Sequence, residues 1–151
     1  MDDMKEIIAQ LENYYGNLDE PNFSKLDNEL LATHRDIMIN LVKEYFVKDV
    51  TGENSDVCMS LILYYGEGID DYFSLFLSYV DKYAAVLHHG SFVEGTEVNF
   101  DWFIKLKSYL DAYDFKMPNG RILCTPINIK LCYSNHPKIF NALFSDIDTL
   151  P

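Results

Sequence analysis

Apolar residues Met4, Ile7, Ile8, Leu11 and Tyr15 recur at helical spacing, with Asp3, Glu6, Gln10 and Asn13 on the opposite side. The chain therefore opens with an amphipathic helix, and Gly16 supplies its stop. After a short loop through Pro21, Ser24 is placed to cap a long second helix. Its stripe runs Leu26, Leu30, Ile37, Leu41, Tyr45, flanked by Leu31, Met38 and Val42, and Thr51-Gly52-Glu53-Asn54 ends it. Ser55 or Asp56 caps a third helix with Val57, Cys58, Leu61, Ile62 and Tyr65 on one face, terminated by Gly66-Glu67-Gly68. The most apolar stretch, from about Asp70 to His89, reads as a fourth helix. Tyr72, Phe73, Phe76, Leu77, Tyr79, Val80, Tyr83, Ala84 and Leu87 cover more than half its circumference, so it is expected to lie centrally.

Ser91-Phe92-Val93 reads as a short extended piece within a polar connection. Asn99 or Asp101 then caps a fifth helix with Phe103, Leu106, Leu110 and Tyr113 inward and Lys105 and Lys107 outward. Pro118-Asn119-Gly120 is a turn. The stretch 121–133 reads either as strand, from the partial alternation around Ile127 to Tyr133, or as a helix with Pro126 in its first turn. Pro137 opens a last helix with Ile139, Phe140, Leu143, Phe144 and Ile147 buried. The expectation is a mainly α fold: one helical domain over 1–151, built of six or seven helices, with at most a small β-hairpin near 121–133.

Composition narrows the class of partner. Of 151 residues, 48% are hydrophobic and 15% aromatic, which is inconsistent with a disordered acidic chain. A chain of this length buries roughly 70% of its unfolded surface. Its 12 basic and 24 acidic residues give a net charge of −12. The excess is uneven: residues 1–60 carry −8, residues 61–101 carry −6 and residues 102–151 carry +2. Direct binding to a nucleic-acid backbone needs the opposite sign. The N-terminus, Met1-Asp2-Asp3-Met4-Lys5-Glu6, lacks the basic and apolar regions of a signal peptide. Cys58, Cys124 and Cys132 are an odd, sparse set that reads as reduced, and the expected compartment is the cytoplasm, without membrane attachment.

Candidate chemistry is thin. The cysteines lack metal-ligand spacing and are expected to be small buried hydrophobes. His34 falls on the apolar stripe of the second helix and reads as a hydrogen-bonded core histidine rather than a base. His88 and His89 point about 100° apart on a helix, which suits interaction with its C-terminal dipole better than one metal. His136 precedes Pro137 and reads as part of a capping segment. Gly66-Glu67-Gly68 lacks the third glycine of a phosphate loop and stands next to two aspartates. Asp70 and Asp71 read as helix-start residues. No catalytic, metal or cofactor site is expected.

A small, acidic, aromatic-rich, helical chain of this kind resembles the bacterial immunity proteins that neutralise nuclease toxins of the colicin and contact-dependent growth-inhibition systems. The resemblance lies in size, charge and pattern over the whole chain, with no diagnostic motif. It implies a one-to-one complex in which a basic toxin domain has its active site or nucleic-acid surface blocked. Alternatives are an acidic nucleic-acid mimic inhibiting a DNA-binding defence enzyme, a helical regulatory module, and an enzyme assembled from distant residues. Charge and aromatic content select Glu53, Asp56, Tyr64, Tyr65, Glu67, Asp70 and Asp71 as the partner-binding residues, the acids for steering and the tyrosines for packing.

Overall fold

The apolar stretch from Asp70 to His89 contains two strands rather than one central helix. The computed structural model describes residues 2–22, 27–51, 57–94, 100–131 and 134–146. In chain order the elements are α1 (Asp2–Tyr15), α2 (Asn28–Leu41), β1 (Phe46–Asp49), β2 (Cys58–Tyr64), β3 (Tyr72–Ser78), β4 (Ala84–His88), β5 (Ser91–Phe92), α3 (Asp101–Ala112), α4 (Gly120–Leu123) and α5 (Ile139–Leu143). The strands form one antiparallel sheet in the order β1-β2-β3-β4-β5. The fold is α+β, which overturns the expected mainly α domain of six or seven helices. The expected third helix is β2, and the expected fourth is β3 and β4. Nor is there a hairpin among the described residues of 121–133: α4 takes Gly120–Leu123, and Pro126 makes an isolated bridge to Lys138. Cys132 and Tyr133 lie outside the described residues.

The physical reason is burial on both faces of the sheet. Leu61, Leu63, Phe73, Leu75, Leu77 and Val86 pack with Ile37 and Leu41 of α2 and with Phe103, Leu106 and Leu110 of α3. Cys58, Phe76 and Ala85 belong to a second cluster with Ile7 and Leu11 of α1, Leu123 of α4, and Phe140, Leu143 and Phe144 at the C-terminal end. A strand covered on both sides is apolar on both sides. It loses the polar alternation that marks a half-exposed strand and imitates a broadly apolar helix.

The amphipathic helices follow their patterns more closely. Ile7, Leu11 and Tyr15 of α1 are buried, and Gly16 stops the helix with a left-handed φ of +77°. In α2 the cap is Asp27, whose Oδ1 accepts from the Glu29 and Leu30 amides at 3.0 and 3.3 Å; Ser24 and Leu26 lie outside the described residues. The helix ends at Leu41, so Tyr45 belongs to the turn into β1. In α3, Phe103, Leu106 and Leu110 face inward as their spacing predicts. His89 and Gly90 both have positive φ, +50° and +79°, and form a two-residue hairpin loop between β4 and β5. His88 and His89 therefore close a hairpin, and the expected helix-dipole role disappears. No described helix is long and apolar enough to cross a membrane.

Three consecutive carbonyls tie the C-terminal end of α5 to the rest of the fold. Ala142 O accepts from the Tyr15 hydroxyl at 2.6 Å, Leu143 O from Ser78 Oγ at 2.6 Å, and Phe144 O from the Val57 amide at 2.8 Å. These are the groups that a helix end leaves without internal partners.

Two substitutions check this architecture. Phe73→Ala should destabilise by about 3–5 kcal/mol, because the ring is fully buried between the sheet and α3. Ser78→Ala should cost about 1–3 kcal/mol, since it removes the partner of a buried carbonyl. Urea midpoints equal to that of the parent protein for both would mean that neither packing layer is as described.

Candidate functional site

The loop joining β2 to β3 is held by one aspartate. The Tyr65 amide donates to Asp71 O at 2.9 Å, and the Gly68 amide donates to Asp71 Oδ2 at 3.2 Å. Asp71 lies so close across the loop that a Cβ on Gly66 would collide with its carboxylate. With Asp71 engaged in this way, Glu67, Ile69 and Asp70 stand exposed at the tip, Ile69 by 83%. Tyr64, Tyr65, Glu67, Asp70 and Asp71 are thus brought together in one hairpin rather than spread between a helix end and a helix start. Glu53 and Asp56 lie outside the described residues. Thr51 and Val57, which bracket them, lie at the Cys58 end of the seven-residue strand β2. The Gly66–Asp71 loop leaves from the other end, roughly 20 Å away at strand spacing.

Alternation along β2 and β3 sends neighbouring aromatics to opposite faces. Phe46, Tyr64 and Tyr72 are register partners across three strands and stand on the face that Cys58 and Phe76 share. Their rings touch in sequence, with centroids 5.9 Å apart for Phe46–Tyr64 and 5.7 Å for Tyr64–Tyr72. Phe46 is 75% exposed and Tyr72 39%. The next row holds Lys48, Ile62, Ser74 and Leu87, and the one beyond brings Phe76 against Phe140 of α5. This face is closed at one end and open at the hairpin end.

Tyr65 turns to the other face. It stacks on Trp102 at 5.2 Å, and its hydroxyl lies 2.9 Å from His88 Nε2, in hydrogen-bond contact. Burial and the neighbouring His89 hold the His88 imidazole below its ordinary value. Slight burial and the Asp71 carboxylate raise the Tyr65 phenol. Phe73 and Phe100 also stack on Trp102. Charge pointed to the hairpin acids, but Phe46, Ile69, Tyr72 and Trp102 were missed. The available signal was the Tyr-Phe-Ser-Leu-Phe-Leu-Ser run of β3, whose serines two strand positions or more from Tyr72 mark its face once the run is extended.

His34 is a core residue, fully buried beside Tyr79 and Phe115 with ring centroids 5.5 and 5.8 Å away. It is not the hydrogen-bonded histidine expected, since neither ring nitrogen has a partner among the described residues. The Ser78 backbone is close enough to favour the proton slightly, but desolvation dominates and lowers its pKa to about 4. Cys58 is buried and Cys124 half-buried; Cys132 lies outside the described residues. Among the described residues no group of three or more His, Cys, Asp or Glu is placed to hold a metal ion. In comparisons with known proteins, no family model, no curated protein and no solved structure matches this chain.

The state of His34 has a consequence for pH. The unfolded imidazole, near 6.5, takes up a proton that the folded one refuses until about pH 4. This part of the stability is complete above pH 6.5 and declines as pH falls toward 4, by about 3 kcal/mol in all. The expected result is a urea midpoint that falls between pH 7 and pH 4.5 more steeply for the parent protein than for His34→Leu. Parallel profiles would show that His34 is not buried in its neutral form.

Proposed function

We propose that this chain is an acidic inhibitor of the immunity type, which binds a basic nuclease toxin domain through the hairpin end of its sheet. The observation that carries the reading is the exposed aromatic row Phe46–Tyr64–Tyr72 beside a loop that presents Ile69 between acidic side chains. Aromatic rings give large contact area with little conformational entropy to lose, and they dominate the energetic centres of protein interfaces. Glu67 and Asp70 supply charge of one sign at the edge of that area, and the net charge of −12 extends the field. Such a field draws in a basic partner and raises the association rate. The row lies on a sheet, so its geometry is set by strand register before any partner arrives.

In this reading the hairpin covers the basic surface with which the toxin domain would meet its nucleic acid. Neutralisation then requires occupancy and no turnover. Asp71 has a different task from Glu67 and Asp70: it shapes the loop, while they face solvent.

The partner to test is the product of the adjacent reading frame, co-expressed with this chain. The expected outcome is a one-to-one complex and survival of cells that the product alone kills. In stopped-flow mixing, Glu67→Lys with Asp70→Lys should slow association about tenfold at low salt and flatten its salt dependence. Tyr72→Ala should instead speed dissociation by about 30-fold, equivalent to about 2 kcal/mol. A complex with rates indifferent to salt and to all three substitutions would place the interface elsewhere.

A further inference from the structure

The opposite face of the same hairpin carries a pocket that the aromatic row does not use. It is an open depression of about 350 Å³ lined by Glu44, Tyr45, Tyr65, Asp101, Trp102 and Lys105. Its aromatic walls are fixed from behind. Tyr45 donates its hydroxyl to the Trp102 carbonyl, Tyr65 contacts His88 at 2.9 Å, and Trp102 stacks on Phe73 with centroids 4.3 Å apart. Burial pushes the Tyr45 phenol up to about 12, so it remains a protonated donor. The walls are therefore set before anything enters.

The charge in the pocket is organised around a cation. Glu44 pairs with Lys105 at 3.1 Å, and this pair is largely exposed on the lysine side. Asp101, in the first turn of α3, forms no ion pair with any described residue and is exposed. Among the described lining residues, two carboxylates beside three aromatic rings are thus opposed by a single flexible ammonium. An exposed lysine–glutamate pair is weak and easily exchanged. A planar guanidinium suits such a place better than an ammonium: it lies against aromatic rings and meets carboxylates through several fixed donors at once.

We propose that this pocket receives an arginine side chain of the basic partner, which displaces Lys105 from Glu44 and is held between Glu44, Asp101 and the Tyr65–Trp102 rings. The inference rests on the proposed inhibitor function for the identity of the partner, but the pocket's chemistry can be tested without one. The hairpin would then be gripped on both sides, with the aromatic row on one face and an inserted arginine on the other.

Trp102 is the chain's sole tryptophan, so its emission reports on the pocket directly. The probe is a doubly blocked Gly-Arg-Gly peptide titrated into the full-length protein. Matched peptides in which lysine or the uncharged isostere citrulline replaces the arginine are the comparisons. A saturable change with the arginine peptide is expected, with affinity lower by about tenfold for citrulline, the factor that 1.4 kcal/mol represents. Glu44→Gln with Asp101→Asn should abolish the preference for arginine over citrulline at an unchanged urea midpoint. Lys105→Met, which removes the competing ammonium, should tighten the arginine peptide. A response that never saturates, equal responses to arginine and citrulline, or a preference that survives the double substitution would each overturn the proposal. Because no partner protein is present, these failures bear on the pocket alone. Failure of the co-expressed complex to form would bear on the inhibitor reading alone.

Discussion

The capture of Ala142, Leu143 and Phe144 carbonyls by Tyr15, Ser78 and Val57 is the constraint from which the shape of the molecule follows. A five-residue helix has almost no stability of its own, because a helical nucleus fixes several residues for few hydrogen bonds. Attached at its C-terminal end to α1, to the end of β3 and to the residue before β2, α5 becomes a rigid cover. It brings Phe140 and Phe144 onto Phe76 and closes one end of the sheet face. Ser78, the last residue of β3, and Val57, the residue before β2, lie at the end of the two strands away from the hairpin. The cover therefore sits at that end, and the sheet face near Tyr64 and Tyr72 stays open.

This asymmetry separates covered from solvent-exposed aromatics on the same two strands. Phe76 and Tyr72 share a face of β3, yet one meets Phe140 while the other is left to solvent. An exposed aromatic row is uncommon on a surface without a partner, which is why it supports an interface more strongly than charge does. Tyr64 and Tyr65 make the complementary point. As consecutive residues at the end of a strand they diverge to opposite faces, so the hairpin presents aromatic surface on both sides of one acidic loop. Asp71 and Gly66 hold that loop in a shape which leaves Glu67, Ile69 and Asp70 outermost.

His34 and Trp102 illustrate two settings for aromatic nitrogen heterocycles in this fold. His34 stands without a hydrogen-bond partner among the described residues, and desolvation keeps it neutral through the ordinary pH range. It packs as a ring against Tyr79 and Phe115, so its chemistry is suppressed by its surroundings. Trp102 is half-buried at the start of α3, with Phe73 and Phe100 stacked on it and Tyr65 beside it. A stack of that kind gives the pocket at the hairpin a stiff wall.

The helices α1, α2 and α3 were legible in the sequence because each has one wet side, and a 3.6-residue period survives only where polar residues mark that side. The acidic excess and its gathering around residues 61–101 were equally legible, since charge is a property of composition. The strands were not. With α2 and α3 on one face and α1, α4 and α5 on the other, β2 to β4 carry apolar residues on both faces, and their two-residue period survives only weakly, in the serines of β2 and β3. By itself the sequence determined the amphipathic helices, the sign of the net charge and where along the chain the acids gather. Only the tertiary structure decided that Phe46, Tyr64 and Tyr72 form one row and that Tyr65 and Trp102 wall a pocket behind it. Those groupings depend on strand register and on where α5 is anchored, and both are set by hydrogen bonds between residues far apart in the chain.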